Sequence, residues 1–492
     1  MKIFVIILIL LVNKVVLQQP TISCLYFIDS LSQYSCDLTL NNPNGINNFT
    51  QITGTHLPGR TNQDVVVIQG NPASRSSIIP SIICEAFGNL REIEMQGSHI
   101  QRITNENFNA CSNLEILDLR FNNIADIEED SFIGCPNIQE INIQSNRLTV
   151  LHENLFQSNS NIETLNFAVN FLVFLPPKLL SGLSSLENLF ISSNQLSQIT
   201  EENFSGLSSL QILDLDKNLL LYIPDRAFAD LTNLRQLLLS ENSIKYLNPR
   251  WFEGMRSINQ IHLNRNQISD LPENSFSNLT TLHIVVLNRN PIYKLPARIF
   301  HPLINLEVLS MEFCEIYGLN QDQFATLNQL IALDLTGNYI YELPVGIFSN
   351  LTSLTFLSLA VNPISIISSN SFGVHPELTT VILNFCAITA IDEKFIDNTN
   401  ITTLAMNGNK CADGSFVDWS DSKELLRKEL SVCFDNYENP NTCPDGNTSE
   451  RICELEAQVT NLQNDNEVLK KELSGLIYRV EALEKAVLGV KQ

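Results

Sequence analysis

The sequence predicts an α/β solenoid, a parallel sheet wound from short repeats, followed by an α-helical coiled coil. Three observations predict it. Apolar residues recur with a 24-residue period over most of the 492-residue chain, one place in that period carries a file of phenylalanines, and residues 452–490 change to a heptad pattern. A repeat decides the architecture before any single element does, so periodicity is read first.

The chain opens MKIFVIILILLVNKVV, one lysine and then an apolar run from Ile3 to Val12. The run is too short to span a bilayer and fits a secretory signal over residues 1–18, cleaved near Gln18 or Gln19. No later stretch is apolar for long enough to form a membrane span, so a secreted, extracellular protein is expected. Eleven cysteines agree with that compartment. So do six Asn-x-Ser/Thr sequons, at Asn48, Asn203, Asn278, Asn350, Asn400 and Asn447, each an expected glycosylation site. A formal charge of −23 argues against binding nucleic acid or anionic lipid, both of which need a basic face.

Residues 19–62 are expected to cap the open apolar end that any stack of repeats leaves. Cys24 and Cys36 are the expected staple, and QDVVVIQGN reads as an irregular first strand.

The solenoid is assigned to residues 63–409. In LEILDLRFNNIADIEEDSFIGCPN, residues 114–137, apolar residues stand at places 1, 4, 6, 11 and 14, asparagine at place 9 and phenylalanine at place 19. Copies start every 24 residues from Leu90 to Leu378, and a truncated copy follows 23 residues later at Ile401. Place 19 runs from Phe108 to Phe372 with Leu180 as its exception, which implies a spine stacked inside the coil. The alternation LxxLxL makes a short strand with leucines inward, and neighbouring copies pair in parallel at about 4.8 Å. The asparagine suits the turn after the strand, where its amide can bond main-chain groups that no ladder satisfies. Cys314 and Cys386 replace it in two copies, three repeats or roughly 14 Å apart, too far for a disulfide. Both are expected to be buried thiols. Cys111 and Cys135 share one place in adjacent copies, so they either bridge each other or stay as two buried thiols.

This pattern resembles the 24-residue class of extracellular leucine-rich repeats. The resemblance implies a curved horseshoe with the strands on its concave face.

Residues 410–434 are expected to cap the far end, with Cys411 and Cys433 as a second staple. A linker follows at 435–451. An odd cysteine count leaves at least one free or bonded to another chain. Cys443 and Cys453 are candidates for an interchain bridge or for a local loop with each other.

From Ile452 the heptad places Ile, Val, Asn466, Leu, Val and Val at a, and mostly leucine at d. Six heptads of this kind favour a parallel two-stranded coiled coil. Asn466, alone at a, is expected to fix register and oligomer number. In a parallel homodimer Arg451 would face Glu456, Asp465 would face Lys470, and Arg479 would face Glu484, all attractive. A homodimer is therefore permitted, and so is a heterodimer with a related repeat protein, while Ile477 leaves room for a third helix.

Places 3, 5, 7 and 8 are expected to point from the strands to the concave surface, where no sequon lies. His262, Arg265 and Arg289 gather positive charge there for an acidic partner, or are ordinary solvated side chains. Phe313, Phe356, Val361, Ile382 and Phe385 would expose apolar groups, as protein contacts do. Asp118, Asp214 and Asp334 are isolated strand positions, and no nucleophile motif or metal-ligand spacing appears. The protein is expected to be no enzyme and to need no cofactor. Signal, repeats, cysteine-bearing linker and coiled coil together resemble the secreted leucine-rich-repeat immune proteins of insects, especially mosquitoes. That resemblance implies paired chains and a complement-like thioester partner. The function expected is a dimeric recognition or scaffold factor of innate immunity binding a protein or microbial surface; the alternative is an extracellular matrix or cell-adhesion protein multimerised by its coiled coil.

Overall fold

The structure, a computed structural model, describes residues 21–42, 51–71, 74–417 and 423–438. The expected signal segment, Asn48, Asn447, the linker cysteines Cys443 and Cys453 and the whole heptad region with Asn466 lie outside the described residues. The chain divides into two compact units, Met1–Leu287 and Asn288–Gln492. No helix among the described residues is long and apolar enough to cross a membrane.

Each copy of the repeat contributes a three-residue strand over places 3 to 5. In the first unit these run from Glu92–Glu94 through Ile116–Asp118 to Ile284–Val286, each parallel to the next and in the same register. Alternation turns the middle residue inward: Leu117, Ile141, Leu165 and Leu213 are fully buried while their strand neighbours are largely half-exposed. The second unit repeats the arrangement from Val308–Ser310 to Thr403–Ala405.

Three residues make too short a strand to hold alone, and the place-9 asparagine extends the ladder. Asn146 donates from Nδ2 to the carbonyl of Leu119 one repeat back at 2.9 Å and to Ile143 in its own repeat at 3.1 Å; its Oδ1 accepts from the Ile124 amide at 2.9 Å. One buried side chain thus satisfies three main-chain groups that the turn would otherwise strand. Asn170, Asn194, Asn218 and Asn338 bond in the same way. Cys314 and Cys386 are buried cysteines in this column, and Cys386 Sγ donates to the Leu359 carbonyl at 3.3 Å, where an asparagine would place its nitrogen. Burial pushes their thiols up to about 12 and about 11, so neither presents a thiolate.

The place-19 rings form the interior spine. Phe108, Phe132 and Phe156 stack at centroid separations of 5.9 and 5.8 Å in the first unit, and Phe300, Phe324 and Phe348 at 6.2 and 6.4 Å in the second. Leu180 interrupts the file in the repeat whose place 6 carries Phe167, a buried ring 6.1 Å from Phe156. The larger residue at place 6 accompanies the smaller one at place 19.

At the amino end an antiparallel hairpin, Thr21–Ile28 with Tyr34–Asn42, carries the Cys24–Cys36 disulfide, and its second strand pairs in parallel with Val67–Gly70 to continue the sheet. At the carboxyl end Ser415–Val417 runs antiparallel to Thr403–Ala405. Helices Lys423–Glu429 and Ser431–Glu438 follow, tied back by Cys411–Cys433, by Arg427 to Glu393 and Asp397, and by Lys423 Nζ to two main-chain carbonyls. The expectation for Cys111 and Cys135 needs correction. Helix Ile82–Ala86 brings Cys84 to a Cα separation of 5.0 Å from Cys111 and the two are bonded, leaving Cys135 as a buried free thiol pushed up to about 12.

Candidate functional site

The residue at place 8 sets the surface beside the strands. Its amide still donates to the place-7 carbonyl of the next repeat, as Ser145 does to Ala168 at 2.9 Å and Val361 to Asn384 at 2.7 Å. The chain must then turn at once so that the place-9 asparagine points inward, and the place-8 residue takes a left-handed conformation to allow it. Phe121, Ser145, Val169, Ser193, Lys217, Glu241, Arg265, Arg289, Phe313, Val361 and Phe385 all have φ between 52° and 58°. Gly97, Gly337 and Gly408 fill the same place with φ of 62°, 70° and 74°. The conformation costs a non-glycine residue about 1–2 kcal/mol, and it holds a column of side chains outward on a backbone fixed from both sides.

Arg265, Arg289, Phe313, Val361 and Phe385 stand in this column; His262 and Ile382 occupy place 5 and Phe356 place 3. In the first unit Arg265 is exposed, whereas His262 is half-buried with Nε2 sealed from solvent and without a hydrogen-bond partner among the described residues. Burial lowers its pKa, so His262 is neutral at neutral pH and adds no charge beside Arg265.

In the second unit the guanidinium of Arg289 lies over the ring of Phe313, 4.7 Å from its centroid. That ring in turn covers Gly337, where a Cβ would come within 2.3 Å of it. Phe385 covers Gly408 in the same manner, at 2.6 Å, and remains 66% exposed. Val361 is exposed, while Phe356 and Ile382 are half-buried. A glycine therefore follows each of these two rings in the column and lets it lie flat.

The strand aspartates do local work. Asp118, Asp214 and Asp334 each accept the amide two residues on, closing the turn out of the strand. Asp118 also takes a salt bridge from Arg120 at 2.6 Å. Among the described residues no group of three or more His, Cys, Asp or Glu could hold a metal ion.

Of the sequons, Asn278, Asn350 and Asn400 are exposed and outside the strands. Asn203 is a correction: it is 2% exposed, its Oδ1 accepts from the Thr200 amide, and its Nδ2 donates to the carbonyls of Leu175 and Pro176. Buried to that degree, its side chain leaves no room for a glycan in this fold.

One surface passes unnoticed in the sequence. Phe171, Val173 and Phe174, and two repeats later Leu219, Leu221 and Tyr222, are exposed at places 10, 12 and 13 on the flank of the first unit. The signal was available, because the intervening copy carries Gln195, Ser197 and Gln198 there.

The family model for the leucine rich repeat matches residues 88–148, 136–196, 184–244, 232–292 and 280–340, a continuous span of just over half the chain. Among solved structures, the mosquito LRIM1/APL1C complex aligns with a TM-score of 0.59 at 19% identity, over 85% of this chain and 75% of that one. A Leptospira interrogans LRR protein aligns at 0.56 and 23% identity, over 75% and 83%. The Toll–Spatzle complex of Drosophila aligns at 0.55 and 19% identity over 71% of this chain, which spans 48% of that one. No curated protein matches by sequence. At these identities the likeness is one of fold, and it agrees with the match to the repeat itself: the chain belongs to the leucine-rich-repeat family.

Proposed function

We propose that this chain is a secreted, non-enzymatic binding protein, paired with a second chain through a coiled coil at 452–490, that recognises a protein partner on the strand-side surface of its repeats. The observation that carries the reading is the place-8 column. Arg289, Phe313 and Phe385 stand exposed on backbone fixed by the ladder, so ordering them against a partner costs little further entropy. Aromatic and arginine side chains on a rigid base are what protein interfaces use as anchors.

An extracellular setting is supported by three disulfides among the described residues and by the run Ile3 to Val12. Within this reading residues 1–18 are a signal, 19–62 and 410–434 are caps, 63–409 the solenoid and 435–451 a linker. Asn278, Asn350 and Asn400 carry glycans, and Cys443 and Cys453 cross-link the pair. The LRIM1/APL1C structure is itself a complex of two proteins, and the Toll structure is described as a hub in development and innate immunity. The second of these descriptions is the ground for a recognition or scaffold role in innate immunity, with a matrix or cell-adhesion role as the alternative.

Expression of the full chain in eukaryotic cells tests the proposal. The protein should appear in the medium as a disulfide-linked dimer, and removal of residues 443–492, which takes away both linker cysteines and the heptads, should leave a secreted monomer. Retention inside the cell, or a dimer that survives the truncation, would refute the assignment.

A further inference from the structure

A groove of about 510 Å³ lies on the edge of the first unit where the chain enters the strands, away from place 8. Asn89, Asn113, Asn137 and Asn161, each the last residue before a new repeat, line it. Their Nδ2 atoms donate to main-chain carbonyls of the preceding turn, at Gln63, Gly88, Ser112 and Pro136, over 2.8 to 3.1 Å. Each amide is therefore held with its nitrogen toward the protein. The four residues are exposed, and their Oδ1 atoms accept no hydrogen bond from any described residue. Four acceptors fixed in one direction recur at the strand spacing of about 4.8 Å.

Packing does not require the amides. The same place carries Ser185, Ser209, Ser257 and Ser353 in other copies of one chain, so a smaller side chain suffices there. The run of four asparagines coincides with the groove. Gln63 and Gln139 add further amides, and the charged pair in the lining, Arg91 and Glu115, cancels itself across 3.6 Å. A neutral, amide-lined groove thus sits in a chain of charge −23.

Fixed acceptors call for a ligand rich in donors, and the neutrality of the lining decides which kind. A cationic peptide would need carboxylates without partners, and a polyanion would be repelled by the acidic chain. Uncharged hydroxyl groups suit the groove, since they donate to the Oδ1 row and accept from glutamine and arginine. We propose that the groove binds a linear, neutral oligosaccharide along the asparagine row, one sugar to each repeat. This site is separate from the place-8 surface and stands whether or not that surface binds a protein.

The test is calorimetric titration of the full chain with cellohexaose, maltohexaose and chitohexaose, and with hexalysine in parallel. At least one hexasaccharide should bind. The double variant Asn113→Ser/Asn137→Ser, which uses the side chain found at this place elsewhere, should lower that affinity by about tenfold or more. Gln139→Trp, which fills the groove without touching the asparagine bonds, should do the same with an unchanged melting temperature. Failure of all three saccharides to bind, equal affinity in both variants, or a preference for hexalysine that the variants abolish would overturn the proposal.

Discussion

At the scale of the residue, the place-8 conformation decides what the surface can present. Valine is poorly suited to a left-handed backbone, because its branched Cβ crowds the following carbonyl. Val361 adopts φ of 56° and is 44% exposed, so its side chain gives back little through burial. Val361→Asn, which tolerates that backbone, is expected to raise stability by about 1 kcal/mol in urea unfolding; a less stable variant would contradict the strain. A second residue carries a pH dependence. Burial, and then the neighbouring Glu94 carboxylate, push Glu92 up to about 7. Between the ordinary carboxylate range and that value the folded chain holds a proton the unfolded chain has released, so this group makes stability fall as pH rises through the window. Glu92→Gln should leave stability unchanged at pH near 4 and raise it at pH 8, read as urea midpoints. An equal effect at both pH values would show that ionisation of Glu92 is not the cause. The exposed members of the place-8 column were legible as strand-side residues, since each place in a repeat has one address. Their left-handed backbone was not, because residues as unlike as Phe121, Lys217 and Glu241 share it.

At the scale of the element, strands, asparagine ladder and phenylalanine spine follow from the 24-residue period, and the structure places all three where that period puts them. What escaped lies where the period does not reach. Cys84 sits in a short helix ahead of the first regular strands, so nothing in the spacing of Cys111 and Cys135 announced it as a partner. The burial of Asn203 escaped for a related reason: a sequon is a local pattern, whereas the carbonyls of Leu175 and Pro176 that hold its amide belong to the previous repeat. The break in the spine allows a test of packing. If Phe167 and Leu180 share one volume, Leu180→Phe alone overpacks the repeat and costs about 1–3 kcal/mol, and Phe167→Leu in the same chain recovers most of it. A double-mutant cycle checks this; strict additivity would mean that the two places are independent.

At the scale of the whole molecule, the repeats of each compact unit supply a surface on ladder-fixed backbone, and the proposed coiled coil would bring in that of a second chain. Two linked surfaces bind a multivalent target far more tightly than one, provided both reach it at once. Asn466 is the expected guardian of that pairing. Asn466→Val should raise the melting temperature of the proposed coiled coil while broadening the oligomer distribution seen in sedimentation, and a strictly dimeric variant of unchanged stability would remove the residue from that role. The claim that joins every scale is that the exposed rings beside the strands capture a protein outside the cell. It is tested most directly by capturing the native protein from the source organism's extracellular fluid without reductant, with Phe313→Ser/Phe385→Ser chain as the comparison bait. Mass spectrometry of what each retains gives the answer. The account predicts a covalent partner chain on both baits and a further protein on the native one alone. A lone native chain, or the same set of proteins on both baits, would contradict it.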